Sequence, residues 1–236
     1  MKNMKNNEIR EYFSKYPEQA FALVKLETLI FNSVSEKCEL VYLFSQTPDN
    51  ESSIINIGAK ISKENSLNTS VETKIGICGL EHPACSKPEE IKKRLINKGV
   101  RSKDIIVIDY DHPDVGVGRK FRFSNTKIEA EAVVNYCLRN GIVKLGICSP
   151  PFHQIRGYLT VLAALKRAGL ENKIAIYNIV GETLDWNKKA VHSQGTTIDL
   201  RSNLIDSEIL RIFKYWQAGD LASPEEAVKY FLEHSK

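Results

Sequence analysis

Val143-Lys144-Leu145-Gly146-Ile147-Cys148-Ser149-Pro150-Pro151-Phe152-His153-Gln154-Ile155-Arg156 joins an apolar run to the first turn of an amphipathic helix. Leu145, Ile147 and Cys148 give the run the character of a strand buried on both faces. Beyond it, Ile155, Tyr158, Leu159, Leu162 and Leu165 recur at helical spacing until Gly169 supplies a left-handed stop. A strand that leads directly into a helix is half of a βαβ unit, and such units make parallel sheets.

The same alternation extends in both directions. Glu39–Phe44, Lys74–Cys78, Asp104–Ile108 and Lys173–Val180 are further short runs rich in Ile, Val and Leu. Ser86-Lys87-Pro88-Glu89 has the form of a capping box, with Ile91 and Leu95 behind it and Gly99 as the stop. Thr126-Lys127-Ile128-Glu129 repeats that form, with Ala130, Val133, Val134 and Cys137 facing inward until Gly141. The expected fold is α/β, a doubly wound Rossmann-like and mostly parallel five-stranded sheet of order 3-2-1-4-5, with extra helices at both termini. Residues 1–36 form an N-terminal helical extension broken at Tyr16-Pro17, and 37–182 form the α/β domain. Residues 183–236 are a loop and C-terminal helices packed on the same domain. Within them Ile205, Ile209, Phe213 and Trp216 make an apolar stripe, and Ser223-Pro224-Glu225-Glu226 opens the last helix. The polar stretch Gly181 to Asn203, with Trp186 and His192, is either a lid or a surface connection.

Composition narrows the function classes. In 236 residues, 33 basic side chains face 29 acidic ones, for a net charge of +4. Nucleic-acid binders carry a denser and more segregated basic footprint, so that class is set aside. The five cysteines form no close-spaced framework and point to a reducing, cytoplasmic setting. No export signal is visible, and Ala20 to Phe31 is too short and too charged to span a bilayer.

Two junctions carry the candidate chemistry. In a parallel sheet all strand-to-helix junctions emerge at the carboxyl edge, so neighbouring ones share a pocket. At the first, Arg119, Lys120 and Arg122 precede the helix start at Asn125-Thr126, where free amides and the helix dipole favour an anion. Asn125 can hold a ligand oxygen; equally, Asn125 or Thr126 can cap the helix. At the second, His153 and Arg156 are spaced to project from one face of the first turn. An imidazole and a guanidinium there suit a phosphate or carboxylate, with His153 as the candidate catalytic donor or general acid/base.

Ser124-Asn125-Thr126 followed closely by Glu129, an apolar strand, and then Ser149-Pro150, His153 and Arg156 resembles the YdcF-like family, a domain of unknown function. The similarity spans roughly residues 38 to 180. It implies a Rossmann-like fold and a ligand site using Ser124, Asn125, Thr126, Glu129, Ser149, His153 and Arg156, with S-adenosylmethionine as a possible cofactor. The chain departs from that pattern at two turns. Phe44-Ser45-Gln46-Thr47-Pro48 lacks glycine, and Cys78-Gly79-Leu80 replaces Ser-Gly-Gly, so a divergent cytoplasmic member is expected, with half of the pocket altered.

The functional expectation is a binder of a small anionic or nucleotide-like ligand, with chemistry left open. A second is a magnesium-dependent phosphatase of haloacid-dehalogenase type using Asp109 and Asp111 at the end of Ile105–Ile108. A third is a non-enzymatic scaffold with a degenerate pocket. Cys78, His82 and Cys85 are too few and too irregular for structural zinc, so no metal is expected. Ser149 lies in no Gly-x-Ser-x-Gly elbow.

Overall fold

The computed structural model describes residues 2–33, 37–67, 72–110, 125–192 and 195–234. Five parallel strands, β1 (Leu40–Leu43), β2 (Lys74–Cys78), β3 (Ile105–Ile108), β4 (Lys144–Ser149) and β5 (Ala175–Val180), line up in the order β3-β2-β1-β4-β5. Each bears out an expected run, β2 with the expected bounds and the other four shorter by one or two residues. The winding reverses between β1 and β4, where Leu40 to Leu43 pair with Leu145 to Cys148.

The alternation of strand side chains divides β1 between two cores. Leu40, Tyr42 and Phe44 face one of them, and Val41 and Leu43 the other. Helices α3 (Glu51–Leu67) and α4 (Pro88–Asn97) cover the Val41 side, through Ile54, Ile55 and Leu95. Helices α5 (Thr126–Asn140) and α6 (Pro151–Ala168) cover the Tyr42 side. The terminal helices enlarge that second core. Leu26 and Ile30 of α2 (Pro17–Asn32) and Ala227 of α8 (Pro224–His234) lie in it. Tyr12 of α1 (Lys2–Lys15) stacks at 5.4 Å on Phe213 of α7 (Arg201–Gln217).

Local details correct several expectations. Helix α6 starts at Pro151, two residues before His153, because proline at the first position costs the helix no hydrogen bond. Ser86 does not cap α4. Its amide and hydroxyl both donate at 2.9 Å to the buried carboxylate of Glu51, which also receives Arg94. An interior charge needs those donors more than an exposed helix end does. At α5 the cap is Asn125, whose Oδ1 accepts from the Ile128 amide at 3.0 Å. Glu129 takes no part in a box with Thr126; it is buried and turned towards β1.

The polar stretch after β5 has regular structure of its own. It contains a hairpin, β6 (Lys189–His192) and β7 (Thr197–Leu200), and α7 begins at Arg201. The buried face of α7 runs through Arg201, Leu204, Glu208 and Ile212 with Phe213, whereas Ile205 is exposed. The last helix keeps its expected start: the Glu226 amide donates to Ser223 Oγ at 3.1 Å, and the Ser223 amide to Glu226 Oε2 at 2.9 Å. Ser223→Ala is expected to cost about 1 kcal/mol, read as a lower urea midpoint with an unchanged slope.

Among the described residues no helix is long and apolar enough to cross a membrane. Asp111, Arg119, Lys120, Arg122 and Ser124 lie outside the described residues.

Candidate functional site

The residues converging at the switch point come from five places. Ser45, Gln46 and Thr47 follow β1; Asn125, Thr126 and Glu129 open α5; His153 and Arg156 open α6. His192 ends β6, and Glu208 and Arg211 lie on α7. The last three were not expected from the sequence.

The hairpin is held by the glycine-free turn after β1. Thr47 Oγ1 and Asn50 Nδ2 both donate to the Val191 carbonyl, at 2.6 and 2.9 Å. Arg201, itself buried, donates from Nε to Asn50 Oδ1 at 3.0 Å and from its guanidinium to the carbonyls of Asp49 and Asp185. The side chains of this turn thus bind a second element of the chain. The result is that His192 is delivered beside His153, with ring centroids 5.9 Å apart.

Glu208 is the centre of the cluster. Its Oε2 accepts from Arg156 Nε at 2.6 Å and lies 3.1 Å from His153 Nδ1. Its Oε1 meets His192 Nε2 at 2.7 Å and Arg211 at 3.1 Å. Burial alone would raise the carboxyl, but the Arg156 charge and the imidazoles outweigh it and hold Glu208 well below the ordinary carboxylate range. Arg156 also donates to Thr126 Oγ1 and to His153 Nδ1, both at 3.0 Å. Nδ1 thus faces a donor in Arg156 and an acceptor in Glu208 Oε2, and the tautomer that accepts from Arg156 carries its proton on Nε2. Burial, reinforced by Arg156, depresses His153 to about 4, so the ring is neutral at pH 7.

His153, His192 and Glu208 are the one group among the described residues whose donor atoms all lie within 4.8 Å, as a metal would need. The Arg156 guanidinium already serves as the cation of that group: it bonds both Glu208 Oε2 and His153 Nδ1. A divalent ion would have to displace it and would add charge beside Arg211. The donor set therefore fits a salt-bridged cluster better than a metal centre.

Glu129 sits across from this cluster. Its Oε2 accepts from the Tyr42 hydroxyl at 3.0 Å and the Ser45 amide at 2.9 Å. Burial pushes its carboxyl up to about 7 in spite of those two bonds.

Two cavities meet here. An inner chamber of about 60 Å³ is lined by Glu129, His153, His192 and the turn after β1. An outer basin of about 340 Å³ is lined by Lys127, Arg211, Tyr215 and Leu221. Asn125, Thr126 and Arg156 border both, so they form the wall that the two share.

Of the expected site residues, the structure brings Asn125, Thr126, Glu129, His153 and Arg156 together at the two cavities. Ser149 stands apart. Its amide and hydroxyl both donate to Gln154 Oε1 at 2.9 Å, and Gln154 in turn ties β4 to Asn178 of β5. Asp109 is exposed at the end of the edge strand β3, two strands from the switch point, and lines neither cavity. No family model, no curated protein and no solved structure matches the chain.

Proposed function

We propose that this chain is a divergent YdcF-like protein that binds a small anionic ligand, phosphorylated or nucleotide-like, in the outer basin at the carboxyl edge of the sheet. One observation carries the reading. The amino terminus of α5, where the Ile128 amide is capped by Asn125 and the Thr126 and Lys127 amides precede the first helical bond, opens on a basin lined by Lys127, Arg156 and Arg211. Asp220 pairs with Lys127 at 2.6 Å and Glu208 behind the lining pairs with Arg156 and Arg211, so the three cations exceed the two acids by one charge. Asn125 spends Oδ1 on the cap and keeps its amide nitrogen for a ligand. Tyr215 and Leu221 give the basin an apolar flank for the organic part. S-adenosylmethionine fits less well, because its sulfonium would sit among three cations.

A thermal-shift titration with inorganic phosphate, adenosine monophosphate and S-adenosylmethionine tests this. A ligand at a hundred times its Kd adds about 2.7 kcal/mol, roughly 5–11 °C for a chain of this size. Arg211→Ala leaves Arg156 on Glu208 and is expected to weaken phosphate binding about 10- to 100-fold, the worth of a hydrogen bond to a charged group. Unchanged affinity in that variant removes the basin from the reading. No shift with any anion favours the scaffold.

A further inference from the structure

The inner chamber is more than the back of an anion site. Glu129 is 4% exposed; the Tyr42 hydroxyl and the Ser45 amide both bond its Oε2, and the Ser45 hydroxyl also lies beside the carboxylate. His153 is equally buried, and its contacts with Arg156 and Glu208 run through Nδ1, on the opposite side of the ring from Nε2. Both residues line the same chamber of about 60 Å³, room for a few waters on the usual scale of about one probe volume each. A carboxylate and an imidazole thus line one chamber with room for water, one wall away from Lys127, Arg156 and Arg211.

We propose that Glu129 makes this a hydrolytic site for phosphate monoesters, with its carboxylate drawing a proton from a chamber water as that water attacks phosphorus held at Asn125, Thr126 and Arg156. The proposal rests on the anion-binding reading above. In phosphoryl transfer the attacking and leaving oxygens lie on opposite sides of phosphorus. Here one side is a small chamber of about 60 Å³ that fits water, and the other is a basin of about 340 Å³ that fits an alcohol. A monoester is implied because a terminal phosphoryl group exposes three oxygens to Arg156, the α5 amides and the His153 donor. Glu129 also has the basicity for the task, its carboxyl lying at about 7, close to the operating pH that favours a general base.

The step balances. The water oxygen bonds to phosphorus, and its proton passes to Glu129 Oε1. The bond from phosphorus to the ester oxygen breaks, with its electron pair leaving on the alcohol oxygen. That oxygen takes a proton from water in the open basin, and Glu129 returns its own to solvent. Ester and water give alcohol and inorganic phosphate. His153 Nε2–H hydrogen-bonds the attacking water or a phosphoryl oxygen and transfers no proton.

The test uses the full chain with p-nitrophenyl phosphate and adenosine monophosphate in the presence of EDTA, following release of inorganic phosphate. Turnover is expected without added metal. Glu129→Gln should lower kcat by about a hundredfold or more while the thermal shift with inorganic phosphate persists, because glutamine can still accept from Tyr42 and Ser45. In the unmutated chain kcat/KM should rise with pH and level off above about 7, a readout that does not depend on the variant folding. A chain that binds inorganic phosphate yet releases none from either ester overturns the proposal and leaves the binding reading standing. Turnover abolished by EDTA, or retained in Glu129→Gln, also overturns it. Failure to bind inorganic phosphate at all overturns both.

Discussion

Glu208→Ala is expected to lower the unfolding free energy by about 3–5 kcal/mol, the usual cost of stripping the partner from a buried charge. Arg156 is at the edge of full burial, and the two imidazoles beside it are buried as well. With the carboxylate gone, Arg156 keeps Thr126 and His153 as acceptors but no counter-charge. For a chain of this length the change corresponds to a Tm lower by roughly 6–20 °C. Calorimetry or a urea titration decides the matter, and a loss under about 1 kcal/mol would show that water reaches the cluster and screens it. Arg156→Ala combined with Glu208→Ala should cost less than the two single changes added together, because the pair is removed as a unit. The sign of the acid response follows from the depressed carboxyl. Glu208 contributes stability above the ordinary carboxylate range, and that contribution disappears as pH falls through its lower folded value.

Glu129→Gln should reveal a pH dependence that the unmutated chain conceals. His153 moves from about 6.5 in the unfolded chain to about 4 in the fold. The unfolded chain then binds more protons between those values, and stability falls as pH drops. Glu129 moves the other way, from about 4.5 to about 7, so its contribution is present at low pH and lost as pH rises through that window. The two slopes oppose each other between pH 4.5 and 6.5 and nearly cancel. Glutamine removes one of them. The stability difference between variant and wild type should therefore change by about 3 kcal/mol between pH 7 and pH 4.5, the variant becoming relatively weaker in acid. The groups facing Glu129 are Tyr42, Ser45, Cys78 and Arg156, and the variant alters none of them. A difference that is flat with pH would mean that the two groups are not shifted in opposite directions.

The sheet was legible because its strands are buried on both faces, which leaves contiguous apolar runs that polar loops do not imitate. The α5 and α6 starts were legible for a related reason. Pro150-Pro151 and the His153/Arg156 spacing lie directly on a strand exit, and strand exits of a parallel sheet converge. His192, Glu208 and Arg211 were not legible. Their side chains meet the site from a hairpin and a helix with no place in the βαβ repeat. On α7 the buried face includes Arg201 and Glu208, charges that pattern reading assigns to solvent, so the stripe through Ile205 and Ile209 was favoured instead. A signal was present in retrospect: Leu204, Glu208 and Ile212 share one face, and a carboxylate between two buried apolar residues calls for a cation. Ser149 misled in the opposite sense, because a polar residue at the carboxyl edge can serve the sheet itself.

Arg201 bonds Asn50 and the Asp49 carbonyl across about 150 residues of sequence, and this divides the proposed ligand groove by origin. One wall, Asn125 to Glu129 with His153 and Arg156, is encoded in the repeating sheet. The other, His192 with Glu208 and Arg211, is encoded in the tail and attached by the Arg201 contacts. A lineage can therefore rewrite what the basin admits by changing the tail alone, keeping the sheet and its anion-facing helix ends as a constant frame.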